Sequence, residues 1–224
     1  ATVQAAADIY GACSMEVMTI MDAWDAVGVL DNINGSALIS NTVTWNSNKT
    51  VAANITIENG GHLIIDNATI DFYPNRGVTV KPGGQLTIDG STLTNTSCSP
   101  NSFWKGIAVE CDPLLWQGSS STSSNLPLPI AAGRVIITNN SVIENAHIGI
   151  ASFTEMIMGQ LPGFITRFQG GSVWADANTT FRNCNESIAY GWGSYAENNV
   201  FITPNSQKVD NCIFECTAPL TDPL

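Results

Sequence analysis

The sequence predicts an all-β fold, a right-handed parallel β-helix of about five or six coils, behind an N-terminal capping segment with one helix. Two observations lead there. Residues 55–72, ITIENGGHLIIDNATIDF, return 23 residues later as residues 78–95, VTVKPGGQLTIDGSTLTN. The echo then recurs down the chain with insertions: residues 134–146, residues 172–184 and residues 208–216 each repeat part of it. A period in the low twenties, made of short apolar alternations divided by Gly, Asn and Asp, is the length of one solenoid coil, and such coils bury their apolar faces only by stacking.

Residues 1–40 stand outside the repeat. Ser14 is a candidate N-cap, and after it Val17, Met21, Trp24 and Val27 recur every three or four residues, one face of a helix. A cap over the first coil is the expectation, because a bare terminal coil is an unpaired sheet edge. Residues 41–224 then form the β-helix. Ile55 and Ile57, then Leu63 and Ile65, alternate with polar residues, as do Val78 and Val80, then Leu86 and Ile88. Period two puts each set on one face of a strand. A third apolar position follows at Ile70 or Leu93. Gly60-Gly61 and Gly83-Gly84 sit between the first two runs, where a sharp corner favours residues tolerant of positive φ. Three strands per coil, stacked about 4.8 Å apart, bring equivalent side chains into interior ladders.

At an offset of 49, residues 134–146 lay Val135, Ile137, Ser141 and Val142 over Leu86, Ile88, Thr92 and Leu93. The excess is mostly residues 111–133, whose SSSTSSN and LPLP stretches read as an irregular excursion. Residues 112–133 and 154–170 are the two expected surface loops. The last coil ends without an evident polar cap, so the native protein is expected to continue beyond Leu224 or to have that end covered by another subunit.

The 224 residues, 44% of them apolar, suit one domain. Eight Lys and Arg against 19 Asp and Glu give a net charge of −11, and no basic cluster exists, which argues against nucleic acid as a partner. No apolar run reaches the length of a membrane span. Six cysteines lie at 13, 98, 111, 184, 212 and 216 without a Cys-x-x-Cys pair, and His62 and His147 are the two imidazoles, a poor set for zinc. Disulfides are the better reading. Cys98 and Cys111 bracket the strand WKGIAVE, and matching FRNC to IFEC sets Cys184 and Cys216 at one corner of successive coils. Pairing stays open; the even count suits an oxidising compartment. Eight Asn-x-Ser/Thr triplets occur, which corner composition explains better than glycan attachment, since Asn tolerates left-handed backbone.

Three sets of residues carry candidate chemistry. Asp66 and Asp89 share a position in neighbouring coils, with Thr138 interrupting the column before Asp176, and two stacked carboxylates suit Ca²⁺, the one cofactor the pattern admits. Trp116, Trp192 and Tyr195 sit in Gly/Ser-rich surroundings where a ring can stack on a sugar. Trp45, Trp104 and Trp174 read instead as rings packed on the sheet exterior beneath loops. No cluster of carboxylates with a basic residue, and no facing Asp/Glu pair, marks a catalytic groove, so no catalytic residue is named.

The strand SFWKGIAVE at residues 102–110, following an LxIDGSxLT coil, resembles the β-helix repeat regions of large secreted Bacteroidetes proteins of the type IX secretion system, with a pectate-lyase-like fold. IENAHIGIAS at residues 143–152 and NCIFECTAPLTDPL at residues 211–224 extend the resemblance over residues 41–224. The sorting domain such proteins carry is not among these residues. The resemblance implies an extracellular or cell-surface location more than an activity. The expected function is a non-enzymatic scaffold or adhesin module, its loops contacting proteins or glycans, its ends open to assembly with other subunits or surface proteins. A carbohydrate-binding module, or less so a polysaccharide lyase or hydrolase, is the alternative.

Overall fold

The computed structural model describes residues 2–11, 14–26, 38–97, 102–111, 132–157, 165–191, 196–197, 200–201 and 207–217. Two helices come first, α1 (Thr2–Tyr10) and α2 (Met15–Ala26). Six coils follow. The first is β1 (Leu38–Ile39), β2 (Thr42–Trp45) and β3 (Lys49–Val51); the second is β4 (Ile55–Ile57), β5 (His62–Asp66) and β6 (Thr69–Phe72). The third is β7 (Gly77–Val80), β8 (Gln85–Asp89) and β9 (Thr92–Asn95), and the fourth β10 (Trp104–Val109), β11 (Arg134–Thr138) and β12 (Val142–Glu144). The fifth runs through β13 (Ala146–Ile157), β14 (Ile165–Gln169), β15 (Ser172–Ala175) and β16 (Thr180–Arg182). The sixth has β17 (Glu186–Tyr190), a small hairpin of β18 (Ala196–Glu197) and β19 (Val200–Phe201), then β20 (Lys208–Val209) and β21 (Ile213–Glu215).

Corresponding strands pair in parallel to make three sheets: A (β1-β4-β7-β10-β13-β17), B (β2-β5-β8-β11-β15-β20) and C (β3-β6-β9-β12-β16-β21). This is the predicted parallel β-helix. Its core is a set of ladders. Ile55, Val78, Ile107, Ile150 and Ile188 stack in sheet A; Leu63, Leu86, Val135 and Val173 in sheet B; Ile70, Leu93, Ile143, Phe181 and Phe214 in sheet C. The apolar positions chosen by period-two alternation are therefore the inward ones.

The N-terminal segment holds two helices where the sequence suggested one. Residues 2–10, TVQAAADIY, are rich in alanine, the best helix former, and make the extra one. Ser14 caps α2 as expected, its Oγ accepting the Val17 N–H at 3.3 Å. Val17 and Ala6 are buried in a small cluster with Ala52 and Ala53, just past β3. Val27 lies outside the described residues. Two tryptophans correct the exterior reading: Trp45 and Trp104 are core residues, and Trp104 stacks on Phe72 at 4.5 Å while its indole N–H donates to the Glu144 carbonyl at 2.8 Å.

The expected loop at residues 154–170 is in part a hairpin, for β13 and β14 pair antiparallel from Phe153–Gln169 to Ile157–Ile165. Sheet A already accepts β17 on β13 at Ile148 to Ser152, so the continuation of β13 leaves the stack and pairs with its own return. Of the loop at residues 112–133, only Ala132 and Gly133 fall among the described residues; Ala132 bridges Cys111 at the loop's base.

Corners decide the register. Between sheets A and B the second glycine of each pair is required by close approach: a Cβ on Gly61 would lie 2.1 Å from the Ile39 carbonyl oxygen, and one on Gly84 2.6 Å from that of Ile57. Between sheets B and C the inward residues Ala68, Ser91, Ser141, Thr179 and Cys212 line up. Their hydroxyls satisfy backbone groups out of water: Ser141 Oγ donates to the Thr138 carbonyl at 2.6 Å and accepts the Ser91 N–H at 3.2 Å. Here the corner varies in length. Asn67, Gly90 and Asn211 are single left-handed residues, whereas Asn139-Asn140 and Ala177-Asn178 are pairs.

The extra residue shifts the next strand by one place. Val142 consequently pairs with Thr92 and Ile143 with Leu93, one residue away from the predicted match. The same slip separates two cysteines. Phe181 pairs with Phe214 and Arg182 with Glu215, which sets Cys216 beside Asn183 rather than Cys184. One residue of slip turns a strand's side chains to the opposite face. Cys184 packs against the core and Cys216 is exposed, so the predicted bridge does not form. Cys111, Cys184, Cys212 and Cys216 are all thiols in no disulfide, and Cys98 lies outside the described residues.

Candidate functional site: the open last coil

The two ends of the solenoid differ. At the first coil the inward side chains Ile39, Trp45 and Val51 are at most 5% exposed, while inward Val43 and Lys49, over Leu63 and Ile70, are only partly buried. At the sixth, inward Tyr190, Val209 and Phe214 are 41%, 38% and 54% exposed, although their partners one coil below, Ser152, Ala175 and Phe181, are buried. Phe214 repeats Phe181, whereas Tyr190 and Val209 are larger than Ser152 and Ala175; among the described residues no strand pairs with the outer edge of the sixth coil. Phe214 lies flat over Phe181 at 5.3 Å and 9°, with its other face turned away from the stack. Burial, and secondarily the Cys212 thiol, push the Tyr190 phenol above its ordinary pKa.

The coil is firmly held from below. Arg182 donates from Nε to Glu215 at 2.6 Å and from Nη1 to Glu144 at 3.2 Å, an ion ladder across three coils of sheet C. On sheet B, Lys208 Nζ bonds Asp176 and sits 4.7 Å over the Trp174 ring, with Asp210 at 3.9 Å. That hydrogen bond, foremost among several causes, lowers the Asp176 carboxyl below its ordinary pKa. Gln207 spans the corner between sheets A and B, accepting from the Val173 N–H and donating to the Gly171 carbonyl, both at 2.8 Å, and reaching Ser152 Oγ of β13 at 3.4 Å. An apolar face rimmed by charges, on a rigid base, is suited to contact.

The predicted site residues fall into two groups. Asp66 and Asp89 are adjacent in register, as read from the repeat. Their carboxylates are occupied separately: Asp66 accepts from the Asn67 amide at 2.6 Å, and Asp89 from Thr138 Oγ1 at 2.9 Å and the Asn139 amide. Among the described residues no three His, Cys, Asp or Glu side chains gather as a metal site would. Trp116, Trp192 and Tyr195 lie outside the described residues. Sequence reasoning missed two features. One is the Lys81–Glu110 ion pair at 2.9 Å between consecutive coils. The other is the His62, Gln85 and Thr87 network on the outer face of sheet B, where His62 Nε2 lies 2.9 Å from Thr87 Oγ1 and 3.1 Å from Gln85 Nε2. The in-register pairing of His62 with Gln85 was readable from the 23-residue period. No described helix is long and apolar enough to cross a membrane.

Comparison with known protein families, with curated proteins and with solved structures found no match.

Proposed function

We propose that this chain is a non-enzymatic extracellular or cell-surface scaffold, of the kind found in β-helix regions of secreted Bacteroidetes proteins exported by the type IX route. One observation carries the reading: three parallel sheets in which every described coil is hydrogen-bonded to the next, a stiff stack interrupted by long insertions after Cys111 and within β13–β14. A solenoid of this kind resists bending because every coil is bonded to both neighbours, so it holds its loops at fixed spacing. The acidic, basic-poor surface keeps such a rod soluble and discourages edge pairing along its length.

Residues 112–133 and 154–170 are the contact elements, and other surface proteins or polysaccharide are the partners. The test is binding of the labelled chain to intact bacterial surfaces and to a glycan array, beside a variant in which residues 112–131 are replaced by a short Gly/Ser linker. Binding lost in that variant supports the scaffold reading, with the array separating protein from glycan partners. Cleavage of any polysaccharide on the array, read as new reducing ends or unsaturated products, would sink it.

A further inference from the structure

We propose that Asn59 is a site of spontaneous covalent modification, where the side-chain amide is lost and the main chain is rerouted through the side chain as isoaspartate. The site lies at the corner between sheets A and B of the second coil. It goes beyond the scaffold reading and does not depend on what the chain binds.

Glu58 to Gly61 form a tight turn. The Gly61 N–H donates to the Glu58 carbonyl at 2.8 Å, and Gly60 has a φ of +82°, as the third residue of a type II turn requires. The third coil builds the same turn from Lys81 to Gly84, with a bond of 2.9 Å and a φ of +78° at Gly83, but it has Pro82 where the second coil has Asn59. The turn therefore does not require asparagine. Elsewhere the fold uses its asparagines. Asn67 and Asn139 take left-handed backbone and donate their amides to Asp66 and Asp89, while Asn48 and Asn54 accept the Thr69 and Gly77 N–H groups. Asn59 is not left-handed, its side chain makes no hydrogen bond among the described residues, and it is exposed together with Gly60.

Glycine after asparagine lets the backbone approach the side chain, since no Cβ hinders it. A Cβ on Gly60 would meet nothing within 4 Å, so a ring has room to close. The Gly60 nitrogen attacks Asn59 Cγ, its proton passes to Nδ2, and ammonia leaves a cyclic succinimide. Water then opens the ring, at Cγ to give aspartate or at the main-chain carbonyl to give isoaspartate. The Gly60 N–H must first leave the Gly83 carbonyl, to which it is bonded at 3.1 Å. That bond lies at an exposed corner outside the strand ladders, where local opening costs least. Isoaspartate adds a methylene to the main chain just before Gly61, where there is no slack: a Cβ on Gly61 would lie 2.1 Å from the Ile39 carbonyl oxygen. Asp89-Gly90 is the internal comparison, for aspartate before glycine closes the same ring. There Asp89 is held by Thr138 and Asn139, and a Cβ on Gly90 would lie 2.7 Å from Asn67 Oδ1. Asn34-Gly35, the other Asn-Gly pair of the chain, lies outside the described residues.

Incubation of the folded chain in mildly alkaline buffer, then digestion under acidic conditions and mass spectrometry, tests this. The expected result is loss of the unmodified Asn59 peptide to a pair of chromatographically distinct products, each with the mass gain of an amide turned acid. The peptides of Asn67, Asn139 and Asp89 should persist unchanged. Asn59→Gln and, copying the third coil, Asn59→Pro should each keep the circular dichroism and abolish conversion at this corner. The converted chain should unfold at lower urea than the Asn59→Pro chain. An Asn59 peptide that outlasts incubation in the folded chain, while the same peptide converts in urea, overturns the inference, because the turn then protects the pair. Conversion spread evenly over the other asparagines overturns it as well, and equal urea midpoints would overturn the strain assigned to the modified corner.

Discussion

Phe181 and Phe214 are the same residue at the same inward position, one coil apart, and replacing each by alanine weighs what the next coil contributes. Phe181 is fully buried between Ile143 and Phe214, and its neighbours are fixed by their own strand ladders. Truncation there leaves an enclosed cavity that cannot collapse, and the expected cost is ~4 kcal/mol, within the usual Phe→Ala range. Phe214 already has 54% of its surface exposed. Its loss forfeits about half of the burial and encloses no cavity, so ~1–2 kcal/mol is expected. Urea unfolding followed by tryptophan fluorescence, at concentrations where the chain is monomeric, reads the difference of ~2–3 kcal/mol as unequal midpoints. Equal costs would mean that coil six is covered as fully as coil five, and the account of the open end would fall.

Other expectations rest on single contacts. Gly84→Ala, whose Cβ would meet the Ile57 carbonyl oxygen at 2.6 Å, should lower stability by at least ~2 kcal/mol, whereas Gly60→Ala, with open space but a φ of +82°, should lower it by only ~1 kcal/mol in the same urea assay. Burial pushes the Cys184 thiol up to about 11, so at pH 8 iodoacetamide should label Cys216 quickly and Cys184 only on unfolding; equal rates would contradict the register of β16 on β21. The Asp176 pKa is lowered chiefly by its hydrogen bond from Lys208, so its contribution to stability is present above the ordinary carboxylate pKa and lost as pH falls through the lowered folded value. Lys208→Met should flatten that acid limb in thermal melts, and an unaltered limb would show that the pair is not coupled to folding. Asp66 and Asp89 each take hydrogen bonds from neighbouring amides or hydroxyls, and if these hold the carboxylates, added Ca²⁺ should leave the melting temperature unchanged; a rise abolished by Asp89→Ala would instead support Ca²⁺ at this pair.

By itself the sequence determined the repeating unit. The 23-residue echo, the alternation through Leu63/Ile65 and Leu86/Ile88, and the Gly-Gly corners act within one coil or between adjacent coils, and local pattern is enough to specify them. It also put Asp66 beside Asp89 and marked Ser14 as a cap, both short-range geometries. Tertiary structure alone decided the rest. Val142 and Ile143, like Ile213 and Phe214, are adjacent apolar residues, so the alternation does not announce which of them faces inward after a corner with two left-handed residues in place of one; only the stack, by setting Ile143 on Leu93 and Phe214 on Phe181, selects it. That slip parted Cys184 from Cys216. Likewise Phe181 and Phe214 are the same residue in equivalent positions, and the difference in their burial exists only once the coils are stacked.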